Sequence, residues 1–441
     1  MFSTSDLKKL IAPLIVEQLL AVTIGIADAV MVSSVGQSAI SGVSLVDSVN
    51  LLLINILAAL ATGGAVVASQ YLGKGEPWQA CSAAKQLIFS CGVLAFGLSV
   101  LSLIFRTSVL SLLFGSVEAD VMRNAQTYFF YSALSYPFIA IYNAGAALFR
   151  AMGNSRISMM TSACMNLINV IGNAILIYGF SLGVAGAAIA TLFSRMVGSA
   201  VMVILLRRPT GAIFVRDWKQ FTLDTQMVKN IFRIGIPTGL ENGMFQIGKV
   251  MVSSLVATFG TAAVAANSVA GNISSFAIIP GSALGLAMIT VVGQCVGARD
   301  YVQARAYVKK LMTITYAGMA VLNVIIILSC RGIARFYNLP GETASLAAEL
   351  MLWNSVFSML IWPTAFTLPN ALRAGNDVRF TMTVSVFSMW TFRIVFSYIL
   401  GSFLHMGVLG VWIAMFIDWV FRTILFVARF CGHRWEQKQY L

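Results

Sequence analysis

Long apolar stretches, seldom interrupted, constrain this chain more than any other feature. Runs of about 20 mostly apolar residues are what a helix needs to cross a bilayer core. Such runs recur from one end of the sequence to the other, at roughly 10–33, 45–69, 86–105, 125–149, 157–180, 183–206, 234–258, 268–292, 310–330, 346–370, 380–402 and 408–429. In hydrocarbon the backbone must satisfy its own polar groups, which leaves helices for runs of this length. The expected fold class is therefore an all-α membrane protein of twelve transmembrane helices. Composition agrees: only 10% of the 441 residues are charged, against about 25% in a soluble domain. The first apolar run lacks a small-residue cleavage pattern and reads as a span, with no secretory leader.

The net charge of +13 could suggest a nucleic-acid partner, but the basic residues form no single patch, and no nucleic acid is expected. They sit between the apolar runs on alternate sides. With the N-terminus in the cytoplasm, the cytoplasmic segments carry Lys8, Lys9, Lys74, Lys85, Arg150, Arg156, Arg207, Arg208, Arg216, Lys219, Lys229, Arg233, Arg299, Arg305, Lys309, Lys310, Arg373, Arg379, Arg429, Arg434 and Lys438. The opposite side has only Arg106, Arg123, Arg331 and Arg335. This bias places both termini in the cytoplasm and the protein in the inner (plasma) membrane. The six cysteines show no paired spacing, and two histidines, His405 and His433, are too few for a histidine metal site. No nucleophile–base set appears, and "GKGEPW" lacks the lysine-serine ending of a phosphate loop. Neither an enzyme nor a cofactor is expected.

The two halves of the chain match at an offset of 224 residues. Pro13 meets Pro237, Glu17 meets Glu241, Gln70 meets Gln294, Gly73 meets Gly297, and Lys85 meets Lys309. "VMVSS" and the pair "RAMGNSR" and "RAGNDVR" match with small gaps. The longest polar connection separates the halves. The expected organisation is an N-terminal lobe at 1–206, a cytoplasmic linker at 207–233 and a C-terminal lobe at 234–441. Six spans per copy give both copies the same orientation, as in parallel transporter repeats. Two such bundles would leave a cleft between them, suited to alternating access; the alternative is a duplicated scaffold that transports nothing.

Four motifs add a resemblance: "PLIVEQLLAVTIGIADAVMVSSVGQSAISGVSL" in the first span, "QYLGKGEPWQA" after the second, "LFRAMGNSRISM" after the fourth, and "NVIGNAILIYGFSLGVAGAAIAT" through the fifth and sixth. Together they resemble the multidrug and toxic compound extrusion (MATE) transporters, bacterial NorM- and DinF-like, across the whole chain. The major facilitator type also has twelve spans, but the loop "LGKGEPWQA" does not fit its pattern. The MATE resemblance implies a V-shaped pair of six-helix lobes, drug export, and coupling to sodium or protons. Carried over by the motif, Asp28 would be the coupling carboxylate, meeting Asn169, Asn173 and Thr191. The same four would hold sodium, as a carboxylate with carbonyl and hydroxyl oxygens suits a hard cation. Removed from water, the carboxylate could instead take a proton. The sequence departs from many members at Asn173, where they have aspartate, so one negative charge stands where two are common.

An ionisable group at the bilayer centre costs about 2.5–3.5 kcal/mol on insertion scales and needs a partner or a role. The spans hold Glu17, Asp28, Asp47, Glu241 and Asp418 against Arg195, Lys249, Arg393 and Arg422. Asp28 could simply pair with Arg195. Glu241 is either salt-bridged, with Lys249 or Arg393 nearby, or a cavity acid that attracts cationic drugs. Asp418 and Arg422 have the i, i+4 spacing of a local ion pair. Asp47, near the outer end of its span, could be hydrated. By the 224 offset Asn169 corresponds to Arg393, Asn173 to Ser397 and Thr191 to Met415, so the cation site is expected in the first half alone. Glu241, Gln18, Asn50, Asn242, Gln246, Asn272 and Tyr142 are candidates for substrate contact, with Asn55, Asn267, Met244 and Phe245 beside them. The expected substrate is a cationic amphipathic drug and the expected state a monomer in contact with membrane lipid. Export of a specific metabolite or lipid-linked precursor is the alternative on the same fold.

Overall fold

The computed structural model describes residues 2–115, 117–209, 211–216, 221–337 and 339–437; Lys219 and Lys438, counted above among the cytoplasmic basic residues, lie outside them. Among the described residues the chain is helical, with no strand. The first half contains α1 (Thr4–Ser33), α2 (Gln37–Lys74), α3 (Pro77–Ile104), the short α4 (Arg106–Phe114), α5 (Ala119–Ala151), α6 (Ser155–Asn173), which continues through π-helical Ala174–Gly179, and α7 (Gly183–Leu206). Then follow α8 (Thr225–Ala257), α9 (Thr261–Ala277), α10 (Ile279–Gly297), α11 (Tyr301–Phe336), α12 (Gly341–Leu360), α13 (Leu368–Ala374), α14 (Val378–Ser388), which continues into π-helical Met389–Val395 and Tyr398–Phe403, and α15 (Gly407–Cys431). By contacts the chain divides into two compact units, Phe2–Gly239 and Leu240–Leu441 with Met1.

Each of the twelve expected spans falls on one of these helices or on a stack of consecutive ones. Among the described residues nine helices are long and apolar enough to cross a membrane, and the bent pair of α12 with the segment Pro363–Ala374 makes up to ten. The two remaining stretches are α5 and α8, each of 33 residues. In α5 the tyrosines, Pro137 and Asn143 lower the mean hydropathy. They are tolerated because α5 packs against α2, α3, α6 and α7, so that Ser132, Ser135, Tyr136 and Tyr142 are buried in protein. The eighth expected span, 268–292, is two helices, α9 and α10, where α2 in the first half is one helix of 38 residues. The break falls at Ile278, beside Pro280, whose ring and missing N–H do not suit a helix interior. At the equivalent place α2 has Ile56.

The duplication is written into the backbone. Among the described residues, those with positive φ are Gly36, Gly75, Gly153, Ser181 and Gly183 in the first half and Gly260, Arg299, Asn376, His405 and Gly407 in the second. They pair one to one at the 224 offset, or 223 at the gapped motif. Arg299 and His405 therefore hold a left-handed turn geometry that side chains rarely adopt.

A buried ion pair is also repeated. In the first unit Glu17 Oε1 lies 3.3 Å from Arg150 Nη1, and Glu17 Oε2 accepts from Ser158 Oγ at 2.7 Å. In the second, Glu241 Oε1 lies 2.7 Å from Arg373 Nη2, and Arg373 Nη1 donates to Asn370 at 2.7 Å. Each pair ties the opening helix of a repeat to the end of its fourth span. The partner of Glu241 is thus Arg373, where the sequence suggested Lys249 or Arg393. Arg150 and Arg373, counted above among the cytoplasmic basic residues, both sit in the last turn of a helix.

Candidate functional site

In the first unit a cavity of about 270 Å³ opens among α1, α2, α5, α6 and α7. Helical spacing sets its lining. Asn169 and Asn173, four apart, share a face of α6. Thr191 and Arg195 do the same on α7, and Val43, Asp47, Asn50 and Ile54 recur along α2. Asp28, on α1, faces the space these helices leave. Immediately after Asn173 the helix widens into π geometry, a feature found often beside functional groups.

All four residues expected to hold a cation come together here. Asn173 Nδ2 donates to Asp28 Oδ1 at 2.7 Å. In the orientation that satisfies its neighbours, the Asn169 amide puts its nitrogen 2.6 Å from Oδ1 and 3.1 Å from Oδ2 of the same carboxylate, and its oxygen accepts from Thr191 Oγ1 at 3.0 Å. Asn173 Oδ1 is buried and has no hydrogen-bond partner among the described residues. A carboxylate, two amides and a hydroxyl have among them the hard oxygens that sodium takes. Among the described residues no three His, Cys, Asp or Glu side chains gather into a metal-ligand group.

Two features of the cavity were missed or misread in the sequence. Asp47 is ten residues into α2, away from any helix end, and lines the same cavity as Asp28. Asp47 accepts hydrogen bonds from Asn50 and Tyr128. A second carboxylate thus lines the cavity from a different helix. Arg195 also lines the cavity, but within 4 Å it forms no ion pair with Asp28 among the described residues; its Nη1 donates to Ser135 Oγ at 2.6 Å.

The candidate substrate residues are dispersed. Asn50 belongs to the Asp28 cavity and is saturated: Oδ1 accepts from Tyr136 at 2.7 Å and Nδ2 donates to Ser132 at 3.2 Å. Tyr142 is buried and bonds Ser162. Gln18, Asn55, Asn242, Met244, Phe245 and Gln246 are half-buried and Asn272 is exposed. Asn267 accepts from Trp412 Nε1 at 2.9 Å. Glu241 is 7% exposed and paired with Arg373, although its Oε2 has no hydrogen-bond partner among the described residues.

The second unit has its own charged cluster. Asp418 and Arg422 form the expected i, i+4 pair at 2.8 Å, 0% and 2% exposed at their side chains. Ser388 Oγ also donates to Asp418. Arg393 Nη1 stands 4.0 Å from Asp418 Oδ2, and Arg393 Nη2 lies 3.1 Å from Met415 Sδ. Arg393 and Met415 are the counterparts of Asn169 and Thr191, which are themselves in contact, so the offset holds in space as well as in sequence.

The comparisons with known proteins agree with this architecture. The MatE family model matches residues 13–175 and again 237–399, two copies displaced by the same 224 residues. The chain is 25% identical to "Probable multidrug resistance protein NorM" of Thermotoga maritima, over 99% of this chain and 94% of that one. It is 24% identical to "Uncharacterized transporter YisQ" of Bacillus subtilis, over 99% and 96%. Among solved structures, one of MATE in the bent conformation superposes with a TM-score of 0.87 at 20% identity, covering 97% of this chain and 93% of that one. An outward-facing multidrug resistance MATE family transporter of the MOP superfamily gives 0.87 at 19%, covering 98% and 96%.

Proposed function

The chain belongs to the MatE family of transporters, and on that premise we propose that it exports amphipathic, drug-like compounds by alternating access, cationic ones first, in exchange for sodium ions or protons. Residues 1–206 and 234–441 serve as its two lobes, joined by 207–233, in the inner membrane with both termini cytoplasmic. The observation that carries the coupling half of this reading is the Asp28 carboxylate, held by two amide donors on one face of α6. The relatives described as multidrug resistance proteins support the export half.

The geometry suggests how one site serves either ion. As the amides stand, their N–H groups stabilise the charge of Asp28. A half-turn of each amide about its last side-chain bond would exchange N–H for C=O. Asn169, Asn173 and Thr191 would then give oxygens to a sodium ion beside the carboxylate. A proton on Asp28 would have a similar effect, because a protonated carboxyl donates to an amide oxygen. Asp47 adds negative charge to the same cavity and favours either cation. Exchange requires the cation and the drug to prefer different states of the protein. Drug release to the outside, followed by cation entry at Asp28, meets that requirement.

The test is efflux of a fluorescent cationic dye from proteoliposomes under an imposed sodium or proton gradient. One gradient should drive efflux, and Asp28→Asn should abolish the dependence on it. If dye moves without either gradient, or if Asp28→Asn couples as well as wild type, the exchange reading is wrong.

A further inference from the structure

The strongest feature outside the Asp28 cavity is an excess of positive charge in the second unit. Lys249, Arg393 and Arg422 surround one ring, that of Phe245, at 5.3, 5.3 and 5.6 Å from its centroid. Arg422 also lies 5.1 Å from the centre of Phe366. Among the described residues one acid, Asp418, pairs with this group, and Arg422 takes it at 2.8 Å while Arg393 is left at 4.0 Å. Glu241 is not available to the others at that range, being closed on Arg373 at 2.7 Å. No carboxylate pairs with Lys249 among the described residues; the charge acting on it is the like charge of Arg393.

Two donors in this region are idle. Arg393 Nε and Trp419 Nε1 are buried without hydrogen-bond partners among the described residues. Trp419 packs edge-on against Phe366, 5.9 Å between centroids, and Phe366 packs similarly on Phe245 at 6.2 Å. Cations in such numbers, with too few acids, are held at a cost that a bound anion would relieve. Lys249 is exposed, so a ligand can reach it. Position adds an independent argument. Lys249 and Arg393 stand at the repeat equivalents of Gly25 and Asn169, and Gly25 lines the Asp28 cavity. The same location therefore carries negative charge in one half and positive charge in the other.

The geometry points to an anion-binding subsite around Lys249 and Arg393, taking the carboxylate, sulfonate or phosphate of an amphipathic compound whose apolar body rests on Phe245 and Phe366. The subsite deepens the export reading and rests on it for its role as a substrate site. It extends the substrate range from simple cations to zwitterions and amphipathic acids. An anionic lipid headgroup has the same chemistry as the acid of a transported compound, and the experiment separates the two.

The probes are rhodamine 6G, an ester and a cation, and its free acid, a zwitterion at neutral pH. Binding to the purified full chain in neutral detergent is read by fluorescence anisotropy, and efflux of both dyes from proteoliposomes is read in parallel. Wild type should bind the acid more tightly than the ester. Lys249→Gln and Arg393→Gln should each weaken the acid about tenfold or more and leave the ester within about twofold. Lys249→Arg should restore the acid. Phosphatidylglycerol that displaces the acid from wild type, when phosphatidylcholine does not, would assign the subsite to a lipid headgroup. Equal binding of both dyes, binding of neither, or equal losses in the variants would overturn the subsite. Acid binding that depends on Lys249, with no efflux of either dye, would keep the subsite and defeat the export reading. Efflux of the ester without preference for the acid would do the reverse.

Discussion

Asn169, Asn173 and Thr191 of the first half and Arg393, Ser397 and Met415 of the second occupy equivalent positions in two copies of one fold, yet their chemistry is opposed. In the first half two of these positions turn amides toward Asp28, and the third bonds one of those amides through its hydroxyl. In the second, Val252 or Gly248 stands where Asp28 would be, depending on the gap, and an arginine points at a thioether. What the copies share is mechanical: five pairs of left-handed residues and the Glu17–Arg150 and Glu241–Arg373 pairs. Turns and ties must be kept for either bundle to close. The polar lining is free to diverge, and divergence there gives one half two cavity carboxylates and the other a surplus of cations.

The largest effect is expected where the second half is hardest to rearrange. Arg422→Met leaves Asp418 at 0% exposure without its close partner, and breaking such a pair costs about 3–5 kcal/mol. Thermal unfolding of the purified protein should show a large fall in midpoint. The double variant Asp418→Leu/Arg422→Met should recover most of it. No recovery would mean that Ser388 and Arg393 depend on the carboxylate as much as Arg422 does. Asp28→Asn, by contrast, keeps the cavity filled and should leave the midpoint near wild type. Its loss should appear in ion-driven efflux, by about tenfold or more. A large stability loss for Asp28→Asn would erase the contrast between a working carboxylate and a structural one.

The repeated ion pairs sharpen the comparison further. Double-mutant cycles with Glu17→Gln and Arg150→Gln, and with Glu241→Gln and Arg373→Gln, should give coupling energies of like size, about 1–3 kcal/mol each. A Glu241→Gln variant that weakens cationic dye binding when Arg373→Gln does not would give Glu241 a role at the substrate that Glu17 lacks.

These contrasts also mark what the sequence could reveal. The twelve spans and the repeat were legible because each rests on local spacing, apolar length and a constant offset; the Asp28 group was implied by the MATE resemblance, spacing showing only that Asn169 and Asn173 share a helix face. Arg373 as the partner of Glu241, and Asp47 as a neighbour of Asp28, were not. Both depend on which helix lies beside which. The break at Ile278 had a visible signal in Pro280, but the apolar run continues through it and hides the end of α9. The positive cluster at Phe245 was spread over Lys249, Arg393 and Arg422, and only packing makes it one feature.

The smallest expected effect tests whether the shared mechanics are equally tight in both copies. Gly186 and Gly410 open the sixth span of each repeat, and each brings its backbone against a leucine of the span before. A Cβ on Gly186 would come within 3.0 Å of the Leu176 carbonyl carbon. On Gly410 it would come within 2.6 Å of the Leu400 carbonyl carbon and 2.7 Å of its oxygen. Both contacts are with backbone, which cannot swing aside as a side-chain tip can. Alanine should therefore destabilise at both positions, by about 1–3 kcal/mol as overpacking does, and more at Gly410 than at Gly186. The order is the informative part. Equal midpoints for Gly186→Ala and Gly410→Ala would show that the second half relaxes where the first does not, and that its greater closeness is not greater rigidity. A larger fall for Gly410→Ala would show a second half held more firmly at the helix pair that carries Arg393, Met415 and Asp418, where its positive cluster most needs a fixed frame.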